Sequence, residues 1–346
     1  MRFLSAFVFF FPLLPVWCNA GNPDRQGEAG AYELLLNPWA RSSGLFHIST
    51  ASVRGVEAMR INVAGLSRVE GLEMNLSGAN YLQGTGMRMS AFGFTKKLKG
   101  GAALGLSLTS LNFGDNRVTT ENQPEGTGAS FSPNFFNIAL AYAYTFSNKV
   151  SVGILARGIS ESLANVGAFG LALDAGVQYV TGEKEEFRFG ICLSNVGSRM
   201  TFRGEGLSFQ GQSPGNAGYQ LTFDQRAASF ELPSMLNIGL SYDIHVGKPH
   251  RISLLGNFTS NSFSRDQLGA GVEYALWESF MLRAAYRYDL GSYLPEEKPV
   301  HTGLSAGGSI DFLLAKGSRN RVAVDYAFQA TRVWSGTHTI SLRFTL

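Results

Sequence analysis

The last eight residues of the chain alternate between polar and apolar side chains up to the final position. The apolar members are Ile340, Leu342, Phe344 and Leu346, and the polar members are Thr339, Ser341, Arg343 and Thr345. Because strand side chains point to opposite faces with a period of two, this segment predicts a strand with one apolar face. At the edge of a soluble sheet such a strand would promote aggregation, whereas a closed barrel has no edge. The segment therefore favours the closing strand of a membrane β-barrel.

The beginning of the chain has the pattern of a secretory signal. Arg2 precedes the apolar run 3–16, and cleavage is expected after Ala20. The run is shorter than the roughly 18 apolar residues that a spanning helix needs. No later run is long enough either, so insertion into a membrane is expected through strands. The chain is thereby divided into a signal peptide (1–20), an N-terminal segment (21–70) and a barrel (71–346).

Fourteen segments with a period of two follow the N-terminal segment. They lie near 71–81, 86–96, 101–114, 136–145, 150–161, 168–180, 187–195, 234–243, 250–259, 266–276, 280–289, 301–315, 320–329 and 336–346. Most have about ten residues, which is the length that a tilted strand needs to cross a bilayer. The even count fits a bacterial single-chain barrel. We therefore expect an all-β fold, a 14-stranded antiparallel transmembrane β-barrel.

The connections between these segments differ in length in a regular way. Those after even-numbered segments are short, whereas long stretches at 115–135, 196–233 and 290–300 follow odd-numbered ones. Outer-membrane barrels have short periplasmic turns on one rim and longer extracellular loops on the other. This pattern predicts an outer-membrane location with extracellular long loops and both termini in the periplasm.

The inner faces of the predicted strands carry equal numbers of opposite charges. The basic members are Arg157, Arg188, Arg283, Arg287 and Arg343, and the acidic members are Glu161, Asp174, Glu273, Asp289 and Asp325. Since buried charges persist when they are paired, this balance predicts a network of ion pairs across a filled barrel. The alternative is a wide, hydrated lumen in which each charge is solvated separately.

The N-terminal segment is too long for a simple tail. Residues 29–36 predict a short helix that Pro38 ends. The segment is expected either to fold into the barrel mouth as a plug or to remain a loose periplasmic arm.

No catalytic or cofactor-binding pattern is found. The histidines are scattered, and His338 and Ser341 lie on opposite faces of one predicted strand. No metal-ligand spacing or phosphate-binding loop occurs, so we expect no enzyme, metal or cofactor. Cys192 is the one cysteine beyond the signal and is interpreted as a small strand residue. The net charge of +3 gives no indication of nucleic-acid binding.

Several stretches resemble the PorV/PorQ family of Bacteroidetes outer-membrane proteins. The stretch from Thr119 to Gly128 continues through Phe131-Ser132 into Asn137-Ile138-Ala139-Leu140-Ala141-Tyr142, and further likeness lies in Val150-Ser151-Val152-Gly153, Ser160-Glu161-Ser162, Ala40-Arg41-Ser42-Ser43-Gly44 and Asn62-Val63-Ala64-Gly65-Leu66. In the last stretch Val63 replaces the family's proline. The resemblance covers most of the chain and is clearest from 71 to 182.

The resemblance implies a FadL-like barrel that serves type IX secretion. Its partners would be membrane lipid, the translocon, sortase or attachment subunits, and the C-terminal domains of exported cargo. The outer loops offer candidate partner-binding residues: Asn122, Pro124, Glu125, Gly126, Thr127, Phe131, Phe202, Phe209, Tyr219 and Phe223. Polar residues with interspersed aromatics suit adaptable contacts to a protein, although such loops could instead close the barrel. The alternative function is FadL-like transport of hydrophobic small molecules across the outer membrane.

Overall fold

The computed structural model describes residues 22–147, 149–212, 219–247, 249–291, 298–314 and 320–346. The predicted signal peptide lies outside these residues, as does the turn predicted at 316–319.

Strands dominate the described chain. In chain order they are β1 (Leu72–Asn80), β2 (Arg88–Lys97), β3 (Ala102–Asn112), β4 (Asn116–Arg117), β5 (Ser130–Phe131), β6 (Asn134–Phe146), β7 (Val150–Leu163), β8 (Val166–Thr181), β9 (Phe187–Gly197), β10 (Ser208–Gln212), β11 (Gln220–Asp224), β12 (Met235–Val246), β13 (His250–Asn261), β14 (Gln267–Leu276), β15 (Phe280–Asp289), β16 (His301–Leu313), β17 (Arg321–Thr331) and β18 (Thr337–Thr345). Fourteen of them form a closed barrel, while β4–β5 and β10–β11 are separate hairpins.

The barrel closes through its first and last strands. β1 pairs with β18 in an antiparallel register from Glu73 opposite Thr345 to Asn80 opposite His338. The other barrel strands pair with their neighbours in chain order, also antiparallel. The prediction of a 14-stranded antiparallel barrel with a closing C-terminal strand is confirmed.

The two faces of the wall differ as the period of two requires. Leu140, Ile154 and Leu173 point outward and expose 62%, 61% and 64% of their surface. Inward neighbours such as Ala139 and Leu155 are buried. A closed barrel with an apolar outer belt satisfies its backbone hydrogen bonds internally and presents apolar side chains to lipid. The outer surface is therefore that of a membrane-spanning barrel.

The connections separate into two rims. The short-turn rim is the side of the barrel where β2, β6, β8, β12, β14 and β16 end, and the long-loop rim is the side where β1, β3, β7, β9, β13, β15 and β17 end. The predicted difference in length is found in three long loops. The connection between β7 and β8 is at the same rim but is short, because two residues are enough for a hairpin turn.

The described part of the N-terminal segment (residues 22–70) crosses the lumen from one rim to the other. The Asn22 amide donates to the Ser264 carbonyl at the long-loop rim, 3.2 Å away. At the other end Leu72, which follows the segment, bonds to Leu346 at the short-turn rim. The expectation that both termini share one side is therefore wrong for the described chain. The segment fills the barrel, so its two ends emerge on opposite rims.

Short helical turns shape the segment. They are 3₁₀ turns at Pro23–Arg25, Tyr32–Leu35, Gly55–Glu57 and Val63–Arg68, with helices α1 (Ala40–Ser43) and α2 (Ala58–Ile61); further 3₁₀ turns lie at Lys99–Gly101 and Glu205–Leu207. The helix predicted over 29–36 is reduced to one turn. Ala31 has a left-handed φ of 50°, and Ala29 pairs instead with Glu231 of the long-loop rim. Both features interrupt helix formation.

The main hydrophobic core lies inside the barrel, between the N-terminal segment and the wall. Trp39, Val56 and Leu66 of the segment pack with Ala103 and Leu155 of the strands. A second cluster lies toward the long-loop rim, and its members include Leu34, Leu111, Phe135, Ile159 and Met200.

Inward-facing glycines make room for this packing. A Cβ on Gly153 would lie 2.7 Å from the carbonyl carbon of Val63, and one on Gly239 would lie 3.0 Å from the backbone nitrogen of Ala51. Ordinary van der Waals contact begins at 3.4 Å, so a side chain at either position would displace the segment. A Cβ would also come too close to the segment at Gly93, Gly105, Gly176, Gly190, Gly269 and Gly271.

Candidate functional site

Five of the predicted lumenal charges form three close ion pairs between neighbouring strands, one of them with Asp243. They are Arg157 with Asp174 at 2.5 Å, Arg188 with Asp243 at 2.6 Å, and Arg283 with Glu273 at 2.5 Å. All six side chains are at least nine-tenths buried. Because a buried charge is costly without its partner, these pairs restrain the inner wall.

The remaining charges are paired more loosely. Arg343 lies 3.6 Å from Asp325 and 3.8 Å from Asp311, and Arg287 lies 3.8 Å from Asp289. The prediction that the pairs cross the barrel is wrong, because the N-terminal segment occupies the centre and the pairs follow the wall.

One predicted member stays outside the pairs. Glu161 makes no ion pair within the described residues, and its Oε1 atom is buried without a hydrogen-bond partner. Glu161 lies near the end of β7 at the long-loop rim. Arg157 lies four residues earlier in the same strand and is already paired with Asp174.

Sequence reasoning missed several members of the charge system, among them Arg251, Asp243 and Asp311. Arg251 lies 3.0 Å from Glu273 and 3.8 Å from Asp243, and Asp311 accepts from Arg321 at 2.7 Å. The period of two could have found all three. Each lies two positions from a buried, inward-facing serine of the same strand: Asp243 from Ser241, Arg251 from Ser253, and Asp311 from Ser309.

The candidate partner-binding residues lie at the long-loop rim. Asn122, Pro124, Glu125, Gly126 and Thr127 lie between β4 and β5, and Phe131 lies in β5. All but Gly126 and Phe131 are exposed.

The aromatic members are partly brought together. Phe209 and Phe223 stack across the β10–β11 hairpin with ring centroids 5.6 Å apart, and Phe209 and Tyr219 each expose 56% of their surface. Phe202 instead packs against Phe230, 5.7 Å away, next to the second hydrophobic cluster. The loop residues therefore form separate exposed hairpins rather than one continuous patch.

The two larger cavities of the described lumen share the wall strands β12 to β15. The loop-side cavity has a volume of about 160 Å³ and is lined by Leu35, Leu36, Asn37, Phe46, His47, Ile48, Arg60, Ile61, Tyr81, Met89, Met235, Asn237, Asn257, Thr259, Asn261, Ser264, Gln267, Gly269, Arg287, His301, Gln329 and Thr337. The turn-side cavity has about 390 Å³ and is lined by Arg41, Ser42, Leu45, Ser49, Ser52, Val53, Arg54, Glu57, Lys184, Arg188, Asp243, His245, Arg251, Ser253, Leu255, Glu273, Glu278 and Met281.

A thin apolar layer separates the two cavities. We call this layer the septum; it consists of Leu45, Phe46 and Ile48 of the N-terminal segment with Leu255 and Ala285 of the wall. On β13 two successive inward-facing residues line different cavities: Leu255 lines the turn-side cavity, and Asn257 lines the loop-side cavity.

The septum rests on a tight turn with an unusual backbone. Phe46 and His47 have φ angles of 48° and 68°, a region that residues with a Cβ seldom occupy. The turn is held by hydrogen bonds from the Phe46 amide to Ser43 and from the His47 amide to Ser42, both 3.0 Å long. Strained conformations of this kind cluster at binding sites and switch regions.

The loop-side cavity combines apolar and aromatic side chains with amide and hydroxyl groups and two arginines. Arg60 projects from α2, and its Nε atom donates to the Leu36 carbonyl at 2.7 Å. Burial, followed by the charge of Arg157, lowers the pKa of Arg60 to about 10. Burial and then the charges of Arg60 and Arg287 hold the pKa of His47 well below its usual range. His47 is therefore neutral at pH 7.

The turn-side cavity is polar and contains charges of both signs. Glu57 of the N-terminal segment accepts from the Ser42 amide at 2.9 Å. Burial, followed by the nearby Asp325 carboxylate, raises the pKa of Glu57. Arg41 reaches Glu273 of the wall at 3.7 Å. The segment is thereby tied electrostatically to the same charge system that lines the wall.

The described residues hold no group of three or more His, Cys, Asp or Glu side chains placed to bind a metal ion. His338 bonds to the outward Tyr326 hydroxyl at 2.8 Å, while the buried Ser341 bonds to Ser77 on the inner side. These two residues lie on opposite faces, as predicted, and do not form a nucleophile and base.

Solved structures with a similar fold are channels and transporters. The toluene transporter TodX of Pseudomonas putida matches with a TM-score of 0.56 at 14% identity, over 89% of this chain and 97% of its own. The CymD monoaromatic hydrocarbon channel matches with 0.55 at 14%, over 88% and 95%. A FadL homologue of Pseudomonas aeruginosa matches with 0.53 at 10%, over 89% and 97%.

No protein-family model and no curated sequence matches the chain. At these low identities the structural likeness shows the fold alone, which is that of the FadL-like barrels. It gives the type IX assignment no further support.

Proposed function

We propose that the chain is an outer-membrane barrel that carries small hydrophobic or amphipathic molecules through its lumen. In this proposal the long-loop rim is extracellular and the septum is the barrier. The observation that carries it is the pair of lumenal cavities, which share the wall strands β12 to β15 and have the apolar septum between them. The fold shared with the toluene transporter and the hydrocarbon channel supports the same class of substrate.

The structure suggests how such a barrier would work. The N-terminal segment is held against the wall by close backbone packing, so it is unsuited to leave the barrel as a whole. The septum turn differs from the rest of the segment in its backbone strain, because Phe46 and His47 both have left-handed φ angles. A local change of this turn would join the cavities while the rest of the segment stays in place.

A septum variant tests the proposal directly. In Phe46→Ala/Ile48→Ala the apolar layer loses its two largest segment side chains, so we expect the two cavities to merge. Planar-bilayer recordings should show a higher ion conductance than the wild type. Met59→Ala is the matched control, because Met59 is equally buried in the segment but lies in the main core.

Uptake is the second measurement. Gram-negative cells that lack their own channel for toluene should take up labelled toluene faster when they express the wild-type barrel in the outer membrane. Unchanged uptake, together with unchanged conductance of a correctly folded septum variant, would contradict the proposal.

A second candidate function is protein binding in type IX secretion, as translocon partner or surface-attachment component. The specific observation in its favour is the exposed β10–β11 hairpin with its stacked Phe209 and Phe223, which suits an adaptable protein contact. The PorV/PorQ resemblance of the sequence points to the same role. Partners would be translocon, sortase or attachment subunits and the C-terminal domains of cargo.

This candidate is tested in a type IX-competent host. Phe209→Ser/Phe223→Ser should reduce the surface display of a reporter that carries a cargo C-terminal domain. Val333→Ser is the control, since Val333 is an apolar residue at the same rim with 79% of its surface exposed. Equal display with all three proteins would argue against a role of this hairpin.

A further inference from the structure

The loop-side cavity has an uneven charge. Its lining includes two arginines, Arg60 from the N-terminal segment and Arg287 from β15, and no acidic residue among those described. His47 and His301 also line it. A buried positive site without a matching carboxylate is costly, and an anion bound in the cavity would offset that cost.

Arg60 lacks a charged partner. Its one described hydrogen bond is the contact from Nε to the backbone oxygen of Leu36, and no ion pair to it is found in the described part of the chain. By contrast, the wall arginines Arg188 and Arg283 each have a carboxylate oxygen within 2.6 Å. The guanidinium of Arg60 is therefore available to a ligand.

Arg287 is only weakly compensated. Its nearest carboxylate, Asp289, is 3.8 Å away, and its Nε atom is buried without a hydrogen-bond partner. The guanidinium lies over the Phe46 ring, 4.2 Å from the centroid. This stacking fixes the guanidinium plane and leaves the Nε donor unused.

Aromatic rings form the apolar part of the same cavity. The Phe46 and His301 rings meet edge to face with centroids 5.7 Å apart, and Tyr81 lies 6.1 Å from His301. The cavity volume of about 160 Å³ resembles that of an apolar cavity of about 150 Å³ that holds benzene. The space therefore suits one aromatic ring.

We infer that the loop-side cavity binds a small aromatic carboxylate, with its ring beside Phe46, His301 and Tyr81 and its carboxylate between Arg60 and Arg287. This inference rests on the proposed transport function and narrows its substrate class. Planar guanidinium groups match carboxylates geometrically, which an uncharged hydrocarbon cannot exploit.

Binding of phenylacetate to the purified full-length barrel in detergent tests the inference. Phenylacetamide has the same shape without the charge, and toluene lacks the polar group. We expect phenylacetate to bind about 10 to 100-fold more tightly than phenylacetamide, the range for hydrogen bonds to charged groups. Arg60→Gln and Arg287→Gln should each remove most of this preference, measured as the ratio of the phenylacetate and phenylacetamide affinities of the same variant.

Two further variants keep the test interpretable. Arg60→Lys retains the charge and should retain most of the preference, even if Arg60→Gln folds poorly. Arg332→Gln is the matched control, because the Nε atom of Arg332 also donates to a backbone carbonyl, that of Pro299, outside the cavity. It should bind phenylacetate as the wild type does.

The outcomes separate the inference from the proposed function. Equal affinity for phenylacetate and phenylacetamide, with toluene bound and taken up, would overturn the carboxylate site but leave the transport proposal standing. If neither aromatic compound binds and cells take up no toluene, both fail.

Discussion

The glycine-lined contact between the wall and the N-terminal segment gives a sharp prediction. Gly153, Gly176 and Cys192 stand opposite one another on β7, β8 and β9, and Asn62 and Val63 of the segment lie over this row. Gly153→Ala would place a Cβ 2.7 Å from the Val63 carbonyl carbon. Reaching ordinary contact at 3.4 Å requires a shift of about 0.7 Å (3.4 minus 2.7).

The shift is expensive because the atoms that it displaces belong to the backbone. The added methyl also approaches the Val63 oxygen and the Ala64 nitrogen, so no side-chain rotation can relieve it. Overpacking of this kind costs about 1–3 kcal/mol. We expect Gly153→Ala to lower the free energy of unfolding by that amount, measured by denaturant titration in detergent micelles.

Cys192 reports on the displacement independently. Its thiol is 2% exposed in the wild type, so it should react slowly with a maleimide. Gly153→Ala should accelerate labelling at Cys192, identified by peptide mapping. Gly256→Ala is the control, since a Cβ there meets nothing within 4 Å. Unchanged stability and unchanged labelling in Gly153→Ala would refute the close packing of segment and wall.

Three further predictions concern the lumen. Arg157→Met leaves the buried Asp174 carboxylate unpaired and should destabilise the barrel by about 3–5 kcal/mol in denaturant titrations; adding Asp174→Asn should recover much of the loss, and no recovery would argue against the pair. The raised pKa of Glu57 means that the folded state resists its ionisation, so the wild type should lose stability as pH rises above the ordinary carboxyl pKa. Glu57→Gln should lack this loss and be more stable than the wild type at neutral pH, but equal to it in acid; parallel pH profiles would contradict this. Asn62→Ala removes a 3.0 Å hydrogen bond to the Val177 carbonyl and should cost about 1–3 kcal/mol by the same titration, with faster protease cleavage of the segment.

The sequence predicts the wall well and the lumen poorly. Alternation is a local signal, so the fourteen strands, the outward Leu140 and Leu173, and the inward Arg157 and Asp174 follow from a period of two. Pair partners do not follow from it. Asp243 becomes the partner of Arg188 only because β9 and β12 are neighbours across a long loop.

The cavities depend on contacts that no local pattern encodes. Arg60 and Arg287 are 227 positions apart in the chain (287 minus 60) and line one space because the N-terminal segment carries α2 through the lumen. Residues 21–70 have no period that reveals their path, since short turns and backbone contacts hold them rather than an amphipathic face.

The sequence by itself therefore determined a chain whose strands close a barrel, with an apolar outside and charges inside. Only the tertiary structure decided that the N-terminal segment runs through the lumen and that the inward-facing glycines of the wall leave room for it. It also decided that Phe46 divides two cavities. The physical reason is that side-chain direction along a strand is fixed by the backbone, whereas the filling of a barrel depends on which distant surfaces fit together.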